Sequence, residues 1–282
     1  MTAQVGLGLL LALASAAALN WGYFAQHGAA ATLPPLTLRR PVHSLALLFR
    51  NRRWLVGFFT GIGGWVFYVA ALAVAPISLV QAASAGGIAI LAGLVGNLSR
   101  RERAAVAVAV IGLVLLGVSL VHVHVPSGHG SWVAVAVWMG VSLAAAAFAA
   151  GPVARVLAGG AGLGVAAGVL YAAGDVGTKA AVAGGGRLAF VPALLACHGL
   201  AFVALQLGFQ RGGALATAGM ATLWTNALPI AAGSILFGES LSGGARGVAR
   251  VAAFACVVFG AAALARRQAA EPTPVRPLEA ID

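Results

Sequence analysis

Asp175 stands in the stretch GVLYAAGDVGTKAA, with Tyr171 four positions before it, Thr178 three after and Lys179 four after. At helical spacing these side chains share one face, and a carboxylate so placed can bind a cation, exchange a proton or hold an organic ammonium group. Asn20 and Tyr23, three apart with Trp21, Gln26 and His27 close by, form a second polar set. Thr222, Thr225 and Asn226 form a third, ahead of Pro229, whose ring frees a backbone carbonyl. Trp65 with Tyr68, and Gln81 with Ser84, are further same-face pairs. His198, beside Cys197, is a proton-relay candidate, against the reading of a hydrogen-bonded packing histidine. Together these aromatic, amide and hydroxyl groups suit the binding of a small organic solute.

Structural readings compete at each position. Amides and hydroxyls also serve as glue between helices in a membrane. Val156 to Gly174 is uncharged and already long enough to cross a bilayer, so Asp175 and Lys179 also fit an ion pair at the outer interface. His122, His124 and His129 cluster in one loop without a carboxylate or cysteine, and no metal site is assigned to them. Gly160, Gly164 and Gly168 read as a close-packing helix face.

These groups must be positioned by apolar helices. The chain has 282 residues, 61% of them hydrophobic and 8% charged, with 39 glycines. Its mean hydropathy is +0.98. Soluble domains carry about a quarter charged residues, so a soluble enzyme, a nucleic-acid binder and a disordered chain are excluded. The net charge of +11 lies in loops between apolar runs, where basic residues orient the chain and contact membrane lipids. Cys197 and Cys256 fall inside apolar runs and read as small buried hydrophobes. The chain lacks HExxH, GxSxG and a Walker A spacing. No enzyme activity and no cofactor are expected.

The fold class expected is an all-α polytopic membrane protein with nine transmembrane helices, at 4–24, 54–74, 77–98, 104–122, 132–150, 156–182, 189–210, 214–237 and 247–265. Ala75-Pro76, Val125-Pro126 and Gly151-Pro152 separate neighbouring spans. With nine spans, the basic residues divide unevenly: Arg39, Arg40, Arg50, Arg52, Arg53, Arg100, Arg101, Arg103, Arg155 and Arg211 fall on one side with the C-terminal arginines. Lys179, Arg187, Arg246 and Arg250 fall on the other. The positive-inside rule then puts the N-terminus outside and the C-terminus in the cytoplasm of a plasma (inner) membrane. Residues 25–53 form the longest loop, within which Val42, Leu45, Leu48 and Phe49 predict an interfacial helix beside Pro41. The tail 268–282, with three prolines, is expected to be disordered.

The halves resemble one another faintly, with Glu102 and Glu239 at matching helix exits. Residues 1–124 read as a first four-helix repeat, 125–153 as a connecting helix and 154–267 as a second, inverted repeat. Inverted repeats are the usual architecture of secondary transporters, whose substrate site lies between them.

The stretches LNWGYFAQHGAA, RRWLVGFFTGIGGWVFYVAALAVAPISLVQ and IGLVLLGVSLV, with the RRER exit, are similar to the drug/metabolite transporter superfamily. GVLYAAGDVGTKAA and ILFGESL look like the corresponding parts of a second EamA repeat. The AP-x-x-LVQ stretch from Ala75 to Gln81 and the nine-span layout resemble the NIPA-like branch, whose characterised members are associated with magnesium transport. The resemblance covers residues 4 to 266. It implies a secondary transporter, with export favoured, that moves a small metabolite by alternating access. The alternatives are a magnesium or other cation transporter and a non-transporting accessory subunit. Mg²⁺ is usually held by one or two carboxylates, and the spans offer only Asp175. The partners expected are a small-molecule or cation substrate and membrane lipids, with no nucleic acid; a homodimer is compatible with the sequence.

Overall fold

The computed structural model describes residues 3–37, 39–84, 86–96, 98–120, 130–157 and 160–238, with residue 244 and 247–249, 251–253, 255–256 and 259–260 beyond them. Among these residues every regular element is helical. Five helical stretches are long and apolar enough to cross a membrane: Gly6–Ala30, Arg52–Val74, Trp132–Val156, Ala161–Ala181 and Gly185–Arg211. The chain is a helical membrane protein.

The first helix, α1 (Ala3–Ala30), outruns its expected end by six residues and shortens the loop expected at 25–53. Within that loop α2 (Pro41–Arg50) forms where the interfacial helix was expected, opened by Pro41, whose missing N–H costs nothing in a first turn. It buries Ser44 and Leu48 and leaves Val42 exposed. Asn51 then caps α3 (Arg52–Val74), its side-chain oxygen accepting from the Trp54 amide at 3.0 Å. Helices α1 and α3 pack along a glycine seam. A Cβ at Gly22 would press on the Gly57 carbonyl, and one at Gly64 on Leu19, so the small residues let the two backbones approach closely.

The span expected at 77–98 is broken into α4 (Ile77–Ser84) and α5 (Gly87–Val95). A Cβ at Gly87 would collide with the Asn20 amide, so only glycine admits that side chain against the backbone. Next come α6 (Arg100–Leu120) and α7 (Trp132–Phe148). Contrary to expectation, Gly151-Pro152 does not end the latter span. The chain passes through a π turn at Ala149–Val153, which absorbs the proline's missing donor, into the single turn α8 (Ala154–Val156).

Gly160, at φ +80°, then starts α9 (Ala161–Ala181) five residues later than expected. A 3₁₀ segment Gly185–Phe190 leads into α10 (Val191–Arg211), followed by α11 (Ala214–Leu236), which carries Pro229 inside it. Helix α9 is central, packed on α7, α10 and α11 and buried over nearly all its length. Gly164 and Gly168 lie against the Thr217 and Ala221 carbonyls of α11, so the glycine face serves packing. One buried apolar cluster, with Ala30, Ala149, Ala161, Phe209 and Leu215, fills one end of the bundle. A second, with Ala75, Ile77, Val135, Ala181 and Phe190, fills the other. The His122, His124 and His129 loop, Glu239 and the tail 268–282 lie outside the described residues, as does much of the ninth expected span.

Candidate functional site

Between the two apolar clusters lies a cavity of 560 Å³, within the range of small-molecule sites. Six helices supply its polar wall. Asn20 and Tyr23 come from α1, Trp65 and Tyr68 from α3, Gln81 and Ser84 from α4, Tyr171 and Asp175 from α9, His198 from α10, and Thr222, Thr225 and Asn226 from α11. Residues far apart in sequence meet because α9 crosses the centre of the bundle and presents Tyr171 and Asp175, one turn apart, to α1, α3 and α4.

Asp175 is 4% exposed. One carboxylate oxygen accepts from Gln81 Nε2 at 3.0 Å, and the Tyr68 hydroxyl bonds the same carboxylate. Gln81 Nε2 also donates to the Tyr68 hydroxyl at 2.5 Å. The other oxygen lies 3.5 Å from His198 Nε2. The His198 Nδ1 is 2.8 Å from the Leu194 carbonyl oxygen, which can only accept, so Nδ1 carries a proton. Nε2 therefore faces the carboxylate, and Asp175 and His198 form a buried acid–base pair. The His198 ring is steadied edge-on between Trp65 and Tyr171, with centroids 5.7 Å from each.

The rest of the polar wall is organised by hydrogen bonds. Tyr23 and Tyr171 share a hydrogen bond through their hydroxyls. Asn20 Nδ2 donates to the Ala16 carbonyl at 2.9 Å, and its oxygen accepts from the Thr222 hydroxyl at 3.5 Å. Asn226 Nδ2 donates to the Thr222 carbonyl at 2.5 Å, and the Thr225 hydroxyl reaches the Gly168 carbonyl at 3.4 Å. Two lining groups stand apart: among the described residues, buried Trp65 Nε1 and Ser84 Oγ have no protein hydrogen-bond partner.

Thr178 and Lys179, also expected at the site, are not part of the wall. The Thr178 hydroxyl bonds back to the Gly174 carbonyl at 2.8 Å, satisfied within its own helix. Lys179 Nζ donates to the Leu72 and Ala75 carbonyls, each at 3.0 Å, and so closes the C-terminal end of α3. One turn beyond Asp175, the rotation of α9 aims both residues past the cavity. Asp175 itself belongs to the cavity wall rather than to an interfacial pair.

The apolar wall was not legible in advance. Leu45 and Phe49 of α2, Phe58 and Ile62 of α3, and Leu195 and Phe202 of α10 read in sequence like any lipid-facing residue. Gln26 also lines the cavity and accepts from Gln206 Nε2 at 2.6 Å. Gln206 in turn accepts from Trp54 Nε1 at 3.0 Å, a buried chain that ties α1, α3 and α10 together. Among the described residues no group of three histidines, cysteines or carboxylates could hold a metal ion.

The chain is 39% identical over 83 residues to a probable magnesium transporter NIPA9 of Arabidopsis thaliana. The match covers 29% of this chain and spans about a quarter (24%) of that protein. No family model matches the chain. No solved structure matches it either.

Proposed function

We propose that this chain is a secondary transporter of a small organic solute, working by alternating access around the Asp175–His198 pair, with neither a cofactor nor enzymatic chemistry. The observation that carries the reading is the cavity itself. It gathers polar side chains of six helices around one buried carboxylate, and two of its polar atoms have no protein partner. An ionisable group this deep in a membrane is costly unless it is used or paired. Here it is paired with a base that can exchange the same proton. A cationic or donor group on the solute competes with that proton for Asp175, while Trp65 Nε1 and Ser84 Oγ serve an acceptor group. Proton exchange is then the coupling step.

In this reading the nine-span layout holds, with two inverted four-helix repeats joined by α7, the N-terminus outside and the C-terminus in the cytoplasm of the plasma membrane. The break between α4 and α5 supports it, since discontinuous helices commonly form transporter sites. Export is the direction favoured. The second reading is a magnesium carrier, favoured by the local likeness to the plant protein. It would use Asp175 as its one carboxylate, with Mg²⁺ keeping most of its waters.

Purified protein in proteoliposomes, with an imposed pH gradient, tests both. Solute flux from a panel of amines and amino alcohols should be saturable and driven by the gradient. It should fall at least about 100-fold in Asp175→Asn, which keeps size and loses charge, the charged contacts each being worth about 1.5–3 kcal/mol. Saturable Mg²⁺ flux lost in the same variant would transfer the assignment to the second reading. Absence of flux across the whole panel would point to an accessory subunit.

A further inference from the structure

Helices α3 and α10 both line the cavity, yet they are not among the closely packed helix pairs. What joins them is a ladder of side-chain contacts. Trp54 Nε1 meets Gln206 Oε1 at 3.0 Å, Phe58 meets Phe202 with ring centroids 5.7 Å apart, and Trp65 meets His198 at 5.7 Å. Numbers rise on one helix as they fall on the other, so the pair runs antiparallel. The register places Gly61 and Gly199 between the Phe58–Phe202 rung and the Trp65–His198 rung. Both glycines line the cavity, and Gly199 is exposed. A Cβ at Gly199 would meet no atom within 4 Å. On either side Ile62 and Leu195 also line the cavity and are 46% and 53% exposed. The ladder therefore has a gap with glycine edges and apolar jambs, on a face that looks at lipid.

Apolar jambs suit passage from hydrocarbon and not from water. Inward of the gap the two rungs offer different surfaces. The Trp65–His198 side leads to Asp175 and the faces of Trp65 and Tyr171, a setting that attracts an ammonium group by charge and by cation–π contact. The Phe58–Phe202 side is wholly apolar and continues to Phe49 and Leu45 of α2. Resting on the transport reading above, we infer that α3 and α10 frame a lateral window through which the substrate reaches Asp175 from the bilayer. The substrate class is a single-chain amphiphile with an ammonium head. Its head lies against Asp175 and the aromatic rings, and its chain lies along Phe58 and Phe202.

Equilibrium binding of radiolabelled dodecyltrimethylammonium and tetramethylammonium to the full-length protein in lipid nanodiscs tests this, with empty discs subtracted. The long-chain cation should bind saturably and at least about tenfold tighter than the short one. Gly199→Trp, which fills the gap, should slow long-chain association by about tenfold or more, read from the time course of binding in the same discs. Gly63→Trp should leave it unchanged: Gly63 is exposed on the same helix α3, meets nothing within 4 Å and does not line the cavity. If Gly199→Trp fails to insert, Gly199→Leu gives the same reading with a smaller side chain. Equal affinity for the two cations, or a wild-type rate of long-chain association with Gly199 filled, would overturn the window. Asp175-dependent flux of a water-soluble solute alongside either of those results would leave the transport reading standing. Saturable binding of neither cation to a folded protein would overturn the amphiphile assignment as well.

Discussion

The imidazole of His198 lies directly over Gly174, the residue before its partner Asp175, so that a Cβ at position 174 would fall on the ring. Glycine at 174 is therefore a condition for the Asp175–His198 contact: α10 delivers the ring into space that α9 leaves open.

Gly174→Ala should displace that ring while leaving α9 helical, since alanine is the better helix former. Overpacking of this kind costs about 1–3 kcal/mol, and here it falls on the Asp175–His198 contact. Flux in proteoliposomes should drop at least about tenfold for a cost of that size. Gly140→Ala, on a surface with nothing within 4 Å, should transport normally. Normal flux in Gly174→Ala would mean that His198 can leave the pair without consequence.

Lys179→Met should behave differently. Its ammonium bonds the Leu72 and Ala75 carbonyls at the end of α3, where the helix leaves carbonyls without intrahelical donors. Losing it should destabilise the fold by about 1–3 kcal/mol, visible as a lower thermal midpoint in detergent. Solute affinity of the protein that remains folded should change little, because the side chain is not in the cavity wall. A large loss of affinity with an unchanged midpoint would return Lys179 to the site.

The contrast between Asp175 and Lys179 shows how far the sequence could be read. Spacing put both on one face of a helix, and rarity of charge marked both as important. Whether a side chain aims at a cavity or at a neighbouring helix end depends on the rotation of α9 in the bundle, which tertiary packing sets. Helix existence followed from uncharged length, and α3, α10 and α11 lie close to their expected bounds. The close approach at Gly87 was hidden, because the group that meets it is the Asn20 side chain of another helix. Polar lining residues were legible because lipid makes polarity conspicuous; Phe58 and Phe202 were not, because lipid and an apolar cavity select the same residues.

Gln206→Leu should test the buried polar chain. It removes the acceptor of Trp54 Nε1 and the donor to Gln26 Oε1, leaving two buried groups unsatisfied at about 1–3 kcal/mol each. The thermal midpoint should fall more than in Gln210→Leu, whose half-buried amide donates to the Ala30 and Pro34 carbonyls and accepts from the Leu36 N–H at 2.7 Å at the end of the helix, where water can replace it. Equal shifts in the two variants would mean that water already serves the inner chain.

The last prediction concerns which way the chain faces. The end of the bundle that holds Ala30, Ala161 and Phe209 also carries α2, Arg155 and Arg211. Arg39, Arg40, Arg50, Arg52 and Arg53 are adjacent in sequence to that end. The other end, with Ala75, Ala181 and Phe190, carries Lys179 and also Arg187, which donates to the Gly130 carbonyl at 2.7 Å. The fold thus separates basic residues into a rich and a poor end, and positively charged loops are retained in the cytoplasm. In intact cells a membrane-impermeant maleimide should label Ala183→Cys, an exposed residue at the poor end. It should reach Arg39→Cys, exposed at the rich end, only after the membrane is permeabilised. Both positions must be read above the background of Cys197 and Cys256. The reverse pattern would place α2 and its arginines outside, and the proton exchange proposed at Asp175 would then run in the opposite direction across the membrane.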